Sequence, residues 1–314
     1  MSEVIVRSSL VSPVRPFGLL LLLLGCGSST ARQGADQPVS DRSDDARSDG
    51  ARSEIASPNS VTSSRSGGSH ARSEPQVAAL PGLRWRVLSF NINFGVGHDP
   101  SNPAAVTEAD ADLVLLQETT DQSEQVFREH FAERYPHMLF RQCCNAGGLG
   151  VMSKHPILDE DYLEPTVGWF PAWRVVVDTP LGPVQVLNVH LRPPMSDGGS
   201  WVAGYFSTRG VRRDEIESFW AQMDPKMPTV VAGDFNENAE GQAVAFLADR
   251  GLRSALPQVQ PRAKTWRWQT RMGKLRAMLD HVVISEDLGL QEVRVLERGT
   301  SDHFPVLAVL GPAP

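Results

Sequence analysis

From Arg84 onward, apolar and polar residues follow two rhythms. "RWRVLSFNI" alternates Trp85, Val87 and Ser89 against Arg86, Leu88 and Phe90, the period-two pattern of a strand. Further strands are predicted at "DLVLLQE", "GLGVMSK", "WRVVVDT", "PVQVLNVHL", "TVVAGDF", "LDHVVIS", "EVRVLE" and "FPVLAVL". Between them lie helical stretches. One starts near Pro103, with Ser101 or Asn102 as its cap, and another is "SEQVFREHFAERY". "RRDEIESFWAQM" sets Ile216, Phe219, Trp220 and Met223 on one face, and "GQAVAFLADRG" ends at Gly251. Strands mixed with helices over this length predict a single α/β domain, and there is no internal repeat.

The first 80 residues read differently. Arg7 and Arg15 precede the run Leu19 to Leu24, which is too short to span a membrane and suits an export signal. The run closes on "LLGC", which resembles the bacterial lipobox. That resemblance makes residues 1–26 a lipoprotein signal peptide, Cys26 the lipidated residue, and the membrane a partner through an N-terminal lipid anchor. Gly27 after that cysteine weakly favours the outer membrane. Residues 27–80, as in "RSDDARSDGARSE", have almost no large apolar side chains and cannot form a core, so they are expected to be a disordered polar linker. Residues 1–80 carry eight Arg against eight acids, which leaves the whole net charge of −7 on residues 81–314. An acidic domain is not an obvious scavenger of polyanions, although a local patch can override the mean.

Cysteine usage excludes a disulfide framework, because only Cys143 and Cys144 remain once Cys26 is set aside. A pair of small, partly buried residues is expected there, with a vicinal bridge as the alternative.

The candidate chemistry collects where strands end. "LSFNINFG" supplies Asn91 and Asn93, "LVLLQETT" Gln117 and Glu118, and "VLNVHLRP" Asn188 and His190. "VVAGDFNEN" supplies Asp234 and Asn236, "AMLDHVVIS" Asp280, and "GTSDHFPV" Asp302 and His303. A lone acid after a strand is usually a turn former or a helix cap. Six such ends in one domain imply a shared site, since a buried acid must be paired, hydrogen-bonded or bound to metal. Hard oxygen donors beside histidines suit a divalent cation.

"GDFN" and "SDHFP", with "QE" after a strand and "NVHL" between, resemble in wording and order the endonuclease/exonuclease/phosphatase superfamily, from about Arg84 to about Gly311. The resemblance implies a four-layer α/β sandwich, two mainly antiparallel sheets packed face to face between helices, over a catalytic domain at 81–314. It implies metal-assisted hydrolysis of a phosphodiester, most readily as a nuclease, with Mg²⁺ or Mn²⁺ as cofactor. Glu118 would be the principal cation ligand, with Asn91, Asn93 and Asp302 on the metal side; many relatives have an acid where Asn93 stands. His190, Asp234, Asn236, Asp280 and His303 would be catalytic. The resemblance also makes Asp280 the acid that orients His303; Asp302 is badly placed for that task, because it and its neighbour His303 point to opposite sides of an extended chain. Asp234 and Asn236, two apart, would share one face of such a chain, with Phe235 turned into the core. His281 is expected to be structural.

Residues 262–276, "RAKTWRWQTRMGKLR", hold six cations and no acid. Arg262, Lys264, Trp266, Arg267 and Arg271 are therefore substrate-binding candidates, for a nucleic acid or a lipid headgroup. The bland alternative is a solvated basic strand with Trp266 in the core. Loop 192–210 is a candidate substrate contact. A sphingomyelinase-like phospholipase C and a catalytically silent binding module on the same fold are the competing readings. No obligate protein partner is evident.

Overall fold

The computed structural model describes residues 82–195, 204, 207–271 and 273–313. The expected signal peptide 1–26, Cys26, the expected linker 27–80 and most of loop 192–210 lie outside the described residues, which all belong to one compact unit, Arg72–Pro314. Among the described residues, no helix is long and apolar enough to cross a membrane.

Twelve strands form two six-stranded sheets. In the first, β1 (Trp85–Asn91) runs parallel to β2 (Leu113–Gln117) and antiparallel to β14 (Val306–Pro312). Strands β4 (Leu149–Ser153) and β3 (His137–Arg141) extend it on one side, and β13 (Leu288–Val295) completes the other. In the second, β7 (Gly182–His190) runs parallel to β8 (Thr229–Asp234). Flanking that pair are β6 (Ala172–Thr179) with β5 (Ile157–Leu163) on one side and β12 (Asp280–Ile284) with the short β9 (Arg253–Ser254) on the other. Each sheet has a single parallel pair at its centre and antiparallel pairing elsewhere.

Both faces of the central strands are apolar because both are covered. Trp85, Val87, Leu113 and Leu115 face Val184, Val186, Val230, Ala232, Val282 and Ile284 to make the core between the sheets. On the outside of the first sheet, Leu88, Phe90, Val114 and Leu116 pack with Val106 and Ala109 of α1 (Ser101–Ala109) and Phe127 and Phe131 of α2 (Asp121–Phe131). On the outside of the second, Leu187, Val189, Val231 and Val283 meet Ile216 and Phe219 of α3 (Arg209–Trp220) and Val244 and Leu247 of α4 (Gln242–Ala248). The result is the expected four-layer α/β sandwich. A one-turn helix, α5 (Ala255–Val259), follows β9.

Several details differ from the sequence reading. Helix α1 begins at Ser101, and the acceptor at its start is the Asp99 carboxylate, 2.9 Å from the Ser101 N–H. Strands β3 and β5 went unpredicted because they are sheet edges with mixed polar faces, which weakens the apolar signal. The basic segment forms a separate hairpin of β10 (Trp266–Thr270) and β11 (Gly273–Ala277). Cys143 and Cys144 are disulfide-bonded, so the expected pair of free thiols is replaced by the vicinal bridge.

Candidate active site

Topology gathers the polar strand ends. The two parallel pairs end together, Asn91 opposite Gln117 and His190 opposite Asp234, and strands antiparallel to them begin at the same end. Asp280 opens β12 opposite Asp234, and Ser301 to His303 lead into β14 beside β1. One end of the sandwich thus receives polar residues from both sheets, where a strand's last or first side chain has no neighbour above it.

The backbone bends sharply at these tips. Asn93 (φ 60°), Glu118 (φ 61°) and Asn236 (φ 52°) all adopt left-handed conformations that non-glycine residues rarely take. Asparagine enters this region readily, so the strain falls chiefly on Glu118, at about 1–3 kcal/mol, a kind of cost that concentrates at functional sites. Gly233, at φ 149°, precedes Asp234; a Cβ there would sit 1.9 Å from the Val189 carbonyl oxygen. Only glycine lets β8 lie this close to β7. The expectation that Asp234 and Asn236 share one face of an extended chain is corrected: β8 ends at Asp234, and the Asn236 N–H turns back to donate to the Asp234 carboxylate at 2.9 Å. Phe235 is fully buried.

Asn91 joins the two sheets. Its Nδ2 donates to Glu118 Oε1 at 2.9 Å and to Asp234 Oδ2 at 3.0 Å, and its Oδ1 accepts from the Asn93 N–H. Glu118 Oε2 accepts from the Phe94 N–H. Below this layer Gln117 Nε2 donates to Asn188 Oδ1 at 2.7 Å, a second amide bridge between the sheets.

His303 Nδ1 lies 2.9 and 3.1 Å from the Asp280 carboxylate oxygens, and its Nε2 is 3.5 Å from Asp234 Oδ2. A carboxylate only accepts, so Nδ1 carries the proton. Asp302 faces away from that pair. Its Oδ1 accepts from Asn93 Nδ2 at 2.7 Å and its Oδ2 from the Trp266 indole at 2.9 Å. His190 Nδ1 donates to the Ala146 carbonyl at 3.0 Å, and the Phe170 ring stacks on the imidazole. That leaves His190 Nε2 pointing at Asp234 Oδ2 (3.6 Å) and Glu118 Oε1 (3.8 Å).

Burial and mutual repulsion set the charges. Burial pushes the Glu118 carboxyl above its usual range and Asp234 up to about 6, against the pull of His303. Burial also lowers His190, favouring neutral imidazole. It would lower His303 too, but the Asp280 and Asp234 carboxylates outweigh it and hold that ring well above the usual histidine range. Among the described residues, the side chains within ion-pair distance of Glu118, Asp234 and Asp280 are histidines, with no lysine or arginine, and the Asp302 carboxylate is held by Asn93 and Trp266. Hard oxygen donors with uncompensated charge fit a divalent cation. Asp234, Asp280 and His303 present ligand atoms within 4.8 Å of one another, close enough to hold an ion. Both Asp280 oxygens are engaged by His303, however, so the Glu118 side is the better seat.

Trp266 is drawn to the site through Asp302 and is only half-buried, which speaks against the alternative of a core residue. The Arg267 guanidinium lies over Phe304, and its backbone N–H donates to the Asp302 carbonyl. Arg262, Lys264 and Arg271 are exposed; Lys264 lines a separate hollow with Asn238, Glu240 and Arg276, and Arg271 caps the hairpin tip. His281 is fully buried between the Ser254 hydroxyl and the Glu237 carbonyl.

Three supporting residues gave no signal in the sequence. Thr265 Oγ1 accepts from the Leu279 and Asp280 N–H groups, Ser301 Oγ donates to the Asn91 carbonyl and accepts from the His303 N–H, and Phe170 covers His190. Each is a common residue type whose importance comes from what lies opposite it.

A profile of the Endonuclease/Exonuclease/phosphatase family matches residues 88–303. No curated protein sequence matches the chain. Among solved structures, an endonuclease/exonuclease/phosphatase from Beutenbergia cavernae is 22% identical, covering 74% of this chain and 72% of that one at a TM-score of 0.60. TDP2 of D. rerio, complexed with a single strand DNA product, is 15% identical over 73% of this chain and 99% of that one, TM-score 0.55. The 3′ phosphatase NExo from Neisseria, bound to a product DNA hairpin, is 20% identical over 71% and 98%, TM-score 0.55. At these identities the structural likeness is one of fold. The family match spans every strand tip that feeds the site up to His303, and on that ground this chain belongs to the endonuclease/exonuclease/phosphatase family of phosphoester hydrolases, which are generally divalent-metal dependent.

Proposed function

We propose that this protein is a Mg²⁺- or Mn²⁺-dependent phosphodiesterase acting on nucleic acid. The observation that carries the reading is the convergence of Glu118, Asp234, Asp280 and Asp302 with two histidines at one end of the sandwich, with no lysine or arginine to balance them among the described residues. Glu118 and the Asn91 side chain would hold the cation, with Asp302 and Asn93 beside them. A bound cation polarises the phosphoryl group and offsets its charge.

The protein's own groups divide the remaining work. Asp234, with its pKa raised to about 6, is placed to take the proton of the attacking water near neutral pH. His303 is held in its charged form by Asp280, so its Nε2–H donates to a phosphoryl oxygen as negative charge grows there. Asn236 Nδ2 spends one hydrogen on the Leu191 carbonyl and keeps the other for the substrate. His190 faces the same space through Nε2, fixed in orientation by Ala146.

The basic face of the β10–β11 hairpin supports a polyanionic substrate. Its other face favours a second reading: Trp268 and Leu275 are cross-strand neighbours, 46% and 55% exposed, an apolar pair suited to a sphingomyelinase-like phospholipase C at a lipid surface. The lipid anchor at Cys26 and the tether 27–80 belong to the same proposal and would place the enzyme on the cell envelope, with the outer membrane favoured.

The test incubates the Arg72–Pro314 fragment with Mg²⁺ on plasmid DNA and, in parallel, on sphingomyelin vesicles, with Glu118→Gln and His303→Ala as controls. DNA cleavage lost in both variants supports the nuclease. Headgroup release with intact DNA replaces it with the phospholipase, and turnover of neither overturns both.

A further inference from the structure

The loop between β3 and β4 carries the only disulfide among the described residues, and it touches the site twice. Cys143 and Cys144 are followed by Asn145, Ala146, Gly147 and Gly148. The Ala146 carbonyl accepts the His190 Nδ1 proton at 3.0 Å. Two residues on, the Gly148 carbonyl accepts the Thr119 N–H at 3.0 Å, directly after Glu118. Gln142, just before the cysteines, accepts from the Thr119 hydroxyl at 3.1 Å. The loop is therefore clamped to Thr119, the residue after Glu118, and supplies the hydrogen bond that orients His190.

Its shape depends on an unusual backbone. Cys144 (φ 43°) and Asn145 (φ 63°) are consecutive left-handed residues, and the turn closes with the Gly147 N–H on the Cys143 carbonyl at 3.0 Å. Asparagine tolerates this conformation; cysteine ordinarily does not. The ring formed by the Cys143–Cys144 bridge restrains the chain at the residue that would otherwise relax. Gly147 completes the fit, since a Cβ there would lie 2.9 Å from the Phe170 ring that stacks on His190.

We propose that the Cys143–Cys144 disulfide is a positioning element for His190, making the enzyme's turnover sensitive to dithiols. The inference rests on the reading of His190 as part of a phosphodiesterase site. Reduction by a dithiol breaks the S–S bond, and the two cysteine sulfurs gain the two electrons and two protons that the reagent releases as it closes to its own cyclic disulfide. Cys144 is exposed, so a small dithiol can reach the bridge. Once released, Cys144 can leave the left-handed region, Ala146 moves with it, and the imidazole loses the acceptor that fixes its tautomer.

The experiment uses the full chain in detergent, oxidised, reduced with dithiothreitol, and reoxidised, together with the Cys143→Ser/Cys144→Ser variant. Alkylation followed by mass measurement reports the thiol state. Histidine ring N–H signals, assigned with His190→Gln, report the Nδ1 hydrogen bond without turnover. Kinetics on bis(p-nitrophenyl) phosphate with Mg²⁺ report function. Reduction is expected to abolish the protected His190 Nδ1–H signal and to lower kcat on the order of tenfold with KM unchanged, as for groups that orient a site residue. Reoxidation restores both, and the serine variant is slow and indifferent to dithiol. Complete reduction with an unchanged ring signal and unchanged kcat overturns the proposal, as does alkylation of both cysteines in the untreated chain. If the oxidised chain turns over no phosphodiester, the functional reading fails while the ring signal still decides whether the bridge positions His190. Should the serine variant not fold, the reduction and reoxidation arms decide alone.

Discussion

Replacing Asp280 with Asn keeps the shape of the side chain while removing its charge and one of its two acceptor oxygens. In the structure both oxygens lie on His303 Nδ1, at 2.9 and 3.1 Å, and Asp280 is fully buried, so no water replaces what is lost. A hydrogen bond to a charged group contributes about 1.5–3 kcal/mol. With each decade of rate worth about 1.4 kcal/mol, Asp280→Asn should lower kcat/KM by about 10- to 150-fold. If Asp280 acts through His303, the loss vanishes once His303 is gone, so Asp280→Asn/His303→Ala should be no slower than His303→Ala alone. The sign of the pH effect follows from the same contact. The carboxylate raises the imidazole's pKa, so removing it should shift the fall in rate on the alkaline side to lower pH. The assay is steady-state hydrolysis of bis(p-nitrophenyl) phosphate by the four proteins across pH. Losses that multiply in the double variant, or a wild-type rate in Asp280→Asn, would refute the assignment of Asp280 as the group that orients His303.

Three further outcomes follow from particular contacts. Gly233→Ala places a Cβ 1.9 Å from the Val189 carbonyl in a backbone region that non-glycine residues avoid; a cost of about 1–3 kcal/mol for the conformation and about 1–3 kcal/mol for the clash should lower the urea midpoint sharply, and a midpoint within error of wild type would show that β7 and β8 are less tightly apposed. His281 is buried and neutral, with its pKa lowered from 6.5 to about 4. The unfolded chain binds that proton and the folded chain does not, so stability is lost as pH falls from about 6.5 toward 4, by up to about 3 kcal/mol; denaturant titrations of the wild type and His281→Asn should show a shallower acid slope in the variant. Cys26→Ser should release the protein from the membrane fraction of the producing bacterium and abolish labelling with a fatty acid, whereas continued membrane association and labelling would remove the lipid anchor from the proposal.

The amino-acid sequence by itself determined the central strands, the faces of the outer helices, and the fact that strands separated by two hundred residues end in acids, amides and histidines. These are local properties: an apolar run states that a strand is covered, and a polar residue at its end states that the cover stops there. The signal failed at edge strands such as β3 and β5, where half of each face is solvent and polar residues are tolerated. It also failed wherever a residue matters for what lies opposite it. Thr265, Ser301 and Phe170 are unremarkable in the sequence, and the Ala146 carbonyl carries no side-chain signature at all. Only the tertiary structure decided that Asn91 bridges Glu118 and Asp234 and that Trp266 reaches Asp302. It likewise turned Asn236 back on Asp234 through a left-handed backbone and joined Cys143 to Cys144. The physical reason is that side-chain periodicity specifies a face, whereas the partner on that face, and the sign of φ just past a strand's end, are set by packing between two sheets that meet only when the whole chain has folded.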